Sequence, residues 1–220
     1  MKTLIVGATG SIGGAAVAAA LDAGHEVTVV ARSPDKLGSA RDRVRVIEGD
    51  AGDSAILESA IHGQDAVISA IGSSPDRTQI DTPASLMRGV IAAMEGAGVR
   101  RLVGLAGGAV NVPGETKSLS SRLTSGLVRL LARNVVEAKQ REFAVVQASD
   151  LDWTMIRPPN VIDGDPTGRV VIGPKMHGFR VTNGDVGVAM VRLAEGSDWL
   201  RHAPYVSAAR PDVSAARPAD

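Results

Sequence analysis

Short, largely apolar runs alternate with longer amphipathic or alanine-rich ones along the chain. Residues 2–7 (KTLIVG), 26–31 (EVTVVA), 43–48 (RVRVIE), 66–71 (AVISAI), 101–105 (RLVGL) and 153–157 (WTMIR) have strand length and many β-branched residues. Runs that are apolar throughout mark strands buried on both faces. Helical patterns fall between them at 11–23, 54–61, 83–96, 119–148 (with a break near Arg133) and 185–195, and a last short strand at 204–207. The helix over 11–23 opens on a hydroxyl residue, Ser11, and stops at Gly24, which are ordinary start and stop signals. Strands alternating with helices predict crossover connections, hence a parallel sheet in a right-handed, doubly wound α/β fold.

Residues 158–183 are rich in Gly, Pro and Asp and are read as a small substrate-loop region over the strand ends. One domain is expected over 1–208. A tail follows over 209–220, where VSAARP at 206–211 recurs at 213–218 and is read as a frayed end.

Composition narrows the function classes. The chain has 220 residues, enough for one large domain. Its 24 basic and 24 acidic residues cancel, so no nucleic-acid or anionic-membrane partner is expected. Two Trp, one Tyr and two Phe make no base-stacking platform. The absence of cysteine removes disulfides, thiolate catalysis and Cys-based metal sites. His25, His62, His177 and His202 are scattered without metal-ligand spacing, so no metal site is expected. The N-terminus begins a strand rather than a secretory leader, and no 18-residue apolar run free of charge occurs. A soluble cytoplasmic protein, monomeric or weakly self-associating, is the expectation.

The first strand runs directly into GATGSIGG, with Gly7, Gly10 and Gly13 three apart and a helix beginning at once. Gly7 permits a tight turn, Gly10 lets backbone approach a pyrophosphate, and Gly13 lets the helix lie close on the strand. The helix N-terminus offers unpaired N–H groups and positive dipole to an anion. Thr9 and Ser11 can add hydroxyl donors. Strand, spacing and helix together point to a dinucleotide phosphate cradle formed by Gly7, Thr9, Gly10, Ser11, Ile12 and Gly13.

The end of the second strand selects the cofactor. NAD-binding versions carry an acidic residue about 20 positions on, which accepts from the ribose 2′-OH. Here the chain reads Val30-Ala31-Arg32-Ser33, followed by Lys36. Arg32 can pair with a 2′-phosphate, supported by Ser33 and Lys36. NADP(H) is therefore expected over NAD(H). The alternative is that Arg32 and Lys36 are solvated loop cations.

GATGSIGG after the first strand, ARS after the second, Gly49-Asp50 after the third and SDLDWTMIRPPNV at 149–161 resemble the atypical short-chain dehydrogenase/reductases. More narrowly, they are similar to the NAD(P)H-binding group of NmrA-like and flavin reductase/biliverdin reductase B-type proteins, over 1–208. The resemblance implies a Rossmann-type sheet. It implies that Asp50 and Ala51 hold the adenine, that Ala70, Ile71 and Gly72 run beside the adenosine ribose, and that Pro158, Pro159 and Asn160 wall the nicotinamide. Asp50 can alternatively be a turn residue before a helix.

The same resemblance implies a catalytic and ribose-binding role for Lys139. The Tyr that normally stands four residues before it is replaced by Val135, and the hydroxyl expected after the fifth strand by Ala106, Gly107 and Gly108. Tyr205 lies in the last strand. Lys139 can alternatively be a solvated cation beside Glu142 on an amphipathic helix. The biliverdin reductase type is said to carry His where Asn160 stands. Alcohol or ketone chemistry needs a positioned proton donor, whereas hydride transfer to a flavin or quinone needs stacking geometry and can take its proton from solvent. Two classes follow: an oxidoreductase passing hydride to a small acceptor, or an NADP(H) sensor of the NmrA kind reporting to a protein partner. Residues 111–133 are a candidate lid, His177 a candidate loop residue over the pocket, and Asp185 a helix N-cap. Arg157 reads as a site residue or a structural ion pair.

Overall fold

A computed structural model describes residues 1–113, 115 and 132–209. Six parallel strands make the central sheet: β1 (Lys2–Val6), β2 (Glu26–Ala31), β3 (Arg45–Glu48), β4 (Ala66–Ser69), β5 (Arg101–Leu105) and β6 (Asp152–Ile156). Their order is β3-β2-β1-β4-β5-β6. The order reverses between β1 and β4, and in open parallel sheets ligands bind at such a switch point, outside the carboxyl ends of the strands. This is the Rossmann arrangement that the strand–helix alternation predicts.

Alternation along each strand divides two cores. Leu4 and Val6 face one layer with α2 (Ser54–Ile61), α3 (Thr82–Ala97) and α4 (Arg133–Gln147), whose Leu57, Met87, Met94, Phe143 and Val146 fill it. Ile5, Val29, Ile68 and Val103 face the other, against α1 (Ser11–Asp22) and α5 (Asn183–Glu195). The helices α1 and α5 meet closely because a Cβ on Gly187 would stand 2.6 Å from the Ala15 carbonyl carbon. Arg101 ties the end of α5 to the sheet, donating to the Leu193 carbonyl at 3.2 Å and to the Asp152 carbonyl at 2.6 Å. Burial pushes that guanidinium down to about 10, so it stays charged at neutral pH.

Several boundaries differ from the sequence reading. The expected strand over 43–48 starts two residues later, because Pro34–Arg43 forms a 3-10 segment kinked at Gly38, where φ is +56°. The helix α1 is capped by Gly10, and Ser11 is its first helical residue rather than its cap. Thr182, not Asp185, caps α5: its hydroxyl accepts from the Asp185 N–H at 3.0 Å. The Asp185 carboxylate instead accepts from the Thr167 N–H at 2.8 Å, the Thr167 hydroxyl at 2.6 Å and the Gly168 N–H at 3.1 Å.

The region over 158–183 is more ordered than a loop reading allows. It contains β7 (Asn160–Ile162), β8 (Val170–Gly173) and β9 (Arg180–Thr182). The strands β7 and β9 pair in parallel, while β8 pairs antiparallel with β10 (Tyr205–Ala208). Strands of three or four residues bounded by Gly and Pro carry too little periodicity to stand out. The expected helix before Arg133, the candidate lid at 114 and 116–131, and the second copy of the tail repeat lie outside the described residues.

Candidate functional site

The glycine turn joins β1 to α1 at the switch point. Gly7 sits at φ +83°, and a Cβ there would lie 2.7 Å from the Ala70 carbonyl oxygen. The turn is thereby pressed against the end of β4. Gly13 is tighter still, since its Cβ would stand 2.0 Å from the Gly7 oxygen. Gly10 meets nothing closer than 3.4 Å, and at Gly72 nothing lies within 4 Å. Two glycines thus lock the turn, a Cβ on Gly10 would make only an ordinary contact with the Gly7 oxygen, and Gly72 leaves bare backbone facing open space. Thr9, Gly10 and Ser11 are exposed; Ile12 is half-buried.

The stretch Ala70–Ile71–Gly72 continues β4 beside this turn. Its neighbours Ser69 and Ser73 carry buried hydroxyls with no hydrogen-bond partner among the described residues. Unpaired buried hydroxyls are uncommon and call for a ligand or water.

Arg32 and Asp50 come together across the ends of β2 and β3, with Nη1 3.7 Å from Oδ2. Both are largely exposed, a geometry in which an ion pair contributes about 0–1 kcal/mol. Arg32 can therefore turn to a phosphate at little cost. Ser33 and Lys36 close a turn, the Lys36 N–H donating to the Ser33 carbonyl at 3.1 Å. The turn reading of Asp50 holds: its Oδ1 accepts from the Gly52 N–H at 2.8 Å, and Oδ2 is the atom nearest Arg32. Ala51 is half-buried beside it.

Lys139 is not the solvated cation that its helix pattern allows. It is buried, and Nζ donates to the Ile71 carbonyl at 2.6 Å and to Glu142 Oε2 at 2.7 Å. Glu142 is fully buried, and its other oxygen has no partner among the described residues. Burial pushes the Glu142 carboxyl above its usual range, and the adjacent ammonium opposes the rise. Lys139 therefore reaches the stretch expected beside the cofactor ribose, but with two of its three donors already committed.

Pro158, Pro159 and Asn160 follow β6 at its carboxyl end. The Gly108 N–H donates to the Pro158 carbonyl at 3.0 Å, and a Cβ on Gly108 would lie 3.1 Å from the Pro159 Cα. A side chain at 108 would thus press on the Pro158–Pro159 backbone, whereas at Gly107 nothing lies within 4 Å. Asn160 is exposed at the start of β7.

Arg157 is a structural residue. Its guanidinium forks onto Glu115 at 2.7 and 3.0 Å, donates to the Ala203 carbonyl at 2.7 Å and lies 4.0 Å over the Tyr205 ring. Burial pushes the Tyr205 hydroxyl up, with Arg157 opposing. The His177 N–H donates to the Ser207 hydroxyl at 3.1 Å. Among the described residues no group of three or more His, Asp or Glu could hold a metal, and no helix is long and apolar enough to cross a membrane.

Sequence reasoning missed Asp163 and Asn183. The Ser11 hydroxyl donates to Asp163 Oδ1 at 2.8 Å, and Asn183 Nδ2 donates to Ser11 Oγ at 2.9 Å. Both residues reach the glycine turn from more than 150 positions away, so no local pattern signals them.

Comparison with known proteins agrees with this geometry. The chain matches the NAD(P)H-binding family over residues 7–196. It is 33% identical over 156 residues to (4-alkanoyl-5-oxo-2,5-dihydrofuran-3-yl)methyl phosphate reductase of Streptomyces griseus, a match covering 70% of this chain. That match spans 46% of the relative, so the chain corresponds to about half of its length. Among solved structures it is similar to the anaerobillin reductase ChuY of Escherichia coli O157:H7, with a TM-score of 0.78 at 24% identity, covering 98% of this chain and 100% of that one. The oxidoreductase ylbE of Lactococcus lactis gives a TM-score of 0.77 at 19% identity, covering 96% of this chain and 92% of that one. At such identities the structural likeness shows the shared fold. Family match, fold and glycine turn agree: the chain belongs to the NAD(P)H-binding family.

Proposed function

We propose that this chain is an NADPH-dependent oxidoreductase that passes hydride to a flavin, a quinone or a similar small acceptor. The observation that carries this reading is the glycine turn, in which Gly7 and Gly13 are packed against backbone, Gly10 is exposed at the start of α1, and Gly72 beside it faces open space. In the bound state the Gly10 backbone and the α1 N-terminus would hold the pyrophosphate. Arg32, with Ser33 and Lys36, would take the 2′-phosphate, Asp50 and Ala51 the adenine, and Ala70 to Gly72 the ribose. Pro158, Pro159 and Asn160 would flank the nicotinamide. Reductase names among the relatives support reduction as the direction of the chemistry.

A reduced nicotinamide supplies hydride at its ring carbon. The chain's own task is to hold the ring against the acceptor and to keep water from between them. Lys139, held by the Ile71 carbonyl and Glu142, stiffens the β4 end against which the ribose would rest. No tyrosine stands at 135, and Tyr205 is sequestered with Arg157. The proton then comes from solvent, which suits flavins and quinones better than ketones. The same engagement of Lys139 supports a second reading, a sensor that binds NADP(H) without turnover.

Following NADPH oxidation at 340 nm with riboflavin, FMN and quinones separates the two. Turnover with at least one acceptor is expected. Tight NADPH binding without turnover on any of them would favour the sensor.

Cofactor preference rests on Arg32. Arg32→Ala is expected to weaken NADPH binding about tenfold, the worth of one charge-assisted contact of roughly 1.5 kcal/mol, and to leave NADH binding unchanged. Equal loss for both cofactors in parallel titrations would show that Arg32 does not read the 2′-phosphate.

A further inference from the structure

We infer that Asp163 is a built-in competitor of the dinucleotide pyrophosphate, set to keep the cofactor readily released. This rests on the cofactor reading above and deepens it. The first turn of α1 contains no acidic residue, and Gly10 caps it without a side chain. The carboxylate of Asp163, 152 positions further on, is brought to that turn instead. Its Oδ1 accepts the Ser11 hydroxyl at 2.8 Å. A serine hydroxyl has one hydrogen to give, so in this arrangement Ser11 has none left for a phosphate oxygen. Asn183 Nδ2 completes the cluster, donating to Ser11 Oγ at 2.9 Å and to Asp163 Oδ1 at 3.3 Å.

The carboxylate is held in place rather than swept past by a loose loop. Asn183 Oδ1 accepts from the Gly164 N–H at 2.9 Å. The Thr182 hydroxyl donates to the Asp165 carbonyl at 3.1 Å, and a Cβ on Gly184 would stand 2.5 Å from the Pro166 nitrogen. Asp185 takes both Thr167 donors and the Gly168 N–H. The N-terminal end of α5 thus fixes the segment over 163–168, and with it a negative charge one hydroxyl away from the expected pyrophosphate position. Binding requires Ser11 to turn from carboxylate to phosphate and leaves two like charges close together, each change disfavouring the complex. A retained phosphate grip with an opposing carboxylate gives a cofactor that exchanges quickly, as a carrier of hydride between turnovers needs.

Asp163→Asn keeps the size of the side chain and removes the charge. Dissociation constants for NADPH, ADP and 2′-AMP should be measured on wild type, Asp163→Asn and Asp163→Ala, with urea unfolding to establish that each is folded. NADPH and ADP should bind about three- to tenfold more tightly to both variants, the scale of one screened like-charge contact. Binding of 2′-AMP, which lacks the pyrophosphate, should not change. Unchanged or weaker NADPH binding in the folded variants overturns the inference, as does an equal gain for 2′-AMP. Failure of wild type to bind NADPH at all overturns the cofactor reading, and this inference with it.

Discussion

Gly13→Ala is expected to destabilise the fold by about 3 kcal/mol and to weaken NADPH binding more than tenfold, whereas Gly14→Ala, one residue on, should be neutral or slightly stabilising. The two glycines sit in the same turn of α1 and differ in what a methyl group would meet. At 13 the new Cβ would lie 2.0 Å from the Gly7 oxygen and 2.7 Å from the Gly7 carbonyl carbon. Both are backbone atoms, so no side-chain rotation relieves the overlap. The helix would have to lift from β1, and the Gly7–Gly10 turn would open with it. At 14 the nearest atom is the Ala8 oxygen at 3.6 Å, an ordinary contact on an exposed face. There the gain is the usual preference of a helix for Ala over Gly, about 0.5–1 kcal/mol. Chemical denaturation and NADPH titration of the pair check this. Equal behaviour of the two variants would show that the turn is not built on the Gly13 approach.

Lys139→Met is expected to cost about 3 kcal/mol at pH 8 and distinctly less at pH 5. Removing one partner of a buried ion pair leaves a charge that neither water nor protein compensates. Glu142 is fully buried, and Lys139 is the donor bonded to its carboxylate. Burial already raises its carboxyl, so without the ammonium it rises further. A group whose pKa is raised on folding favours the fold below its unfolded value, about 4.3 for a glutamate, and loses that contribution as pH climbs through the folded value. The loss in Lys139→Met must therefore grow with pH. Adding Glu142→Leu should recover most of it, because an apolar pair of similar volume replaces a buried ion pair at little cost. Urea unfolding at both pH values decides the matter. A pH-independent loss would show that packing, rather than the unpaired carboxylate, sets the effect.

Much of the central sheet and its glycine turn was readable in the chain itself. Runs such as TLIV and AVIS can be buried strands and little else, and the glycine spacing after the first of them has a steric meaning that the turn displays. What was hidden depended on long-range packing. Ser11 reads locally as a helix cap, but the cap is Gly10, and the hydroxyl is claimed by Asp163 from another part of the fold. Asp185 reads as a cap as well, yet Thr182 takes that role and frees Asp185 to anchor Thr167 and Gly168. Lys139 left two readings open, a ribose-binding role implied by resemblance and a solvated cation on an amphipathic helix, and only the approach of the Ile71 carbonyl shows that it is buried. The short strands β7, β8 and β9 were invisible because three or four residues hold too few alternations to outweigh the glycines and prolines around them.

The central claim is that the Gly7–Gly13 turn holds a nicotinamide dinucleotide. Isothermal titration of the wild-type chain with NADPH tests it most directly. The account predicts one site per chain with a micromolar dissociation constant, about −8 kcal/mol. Absence of binding at millimolar NADPH would contradict it.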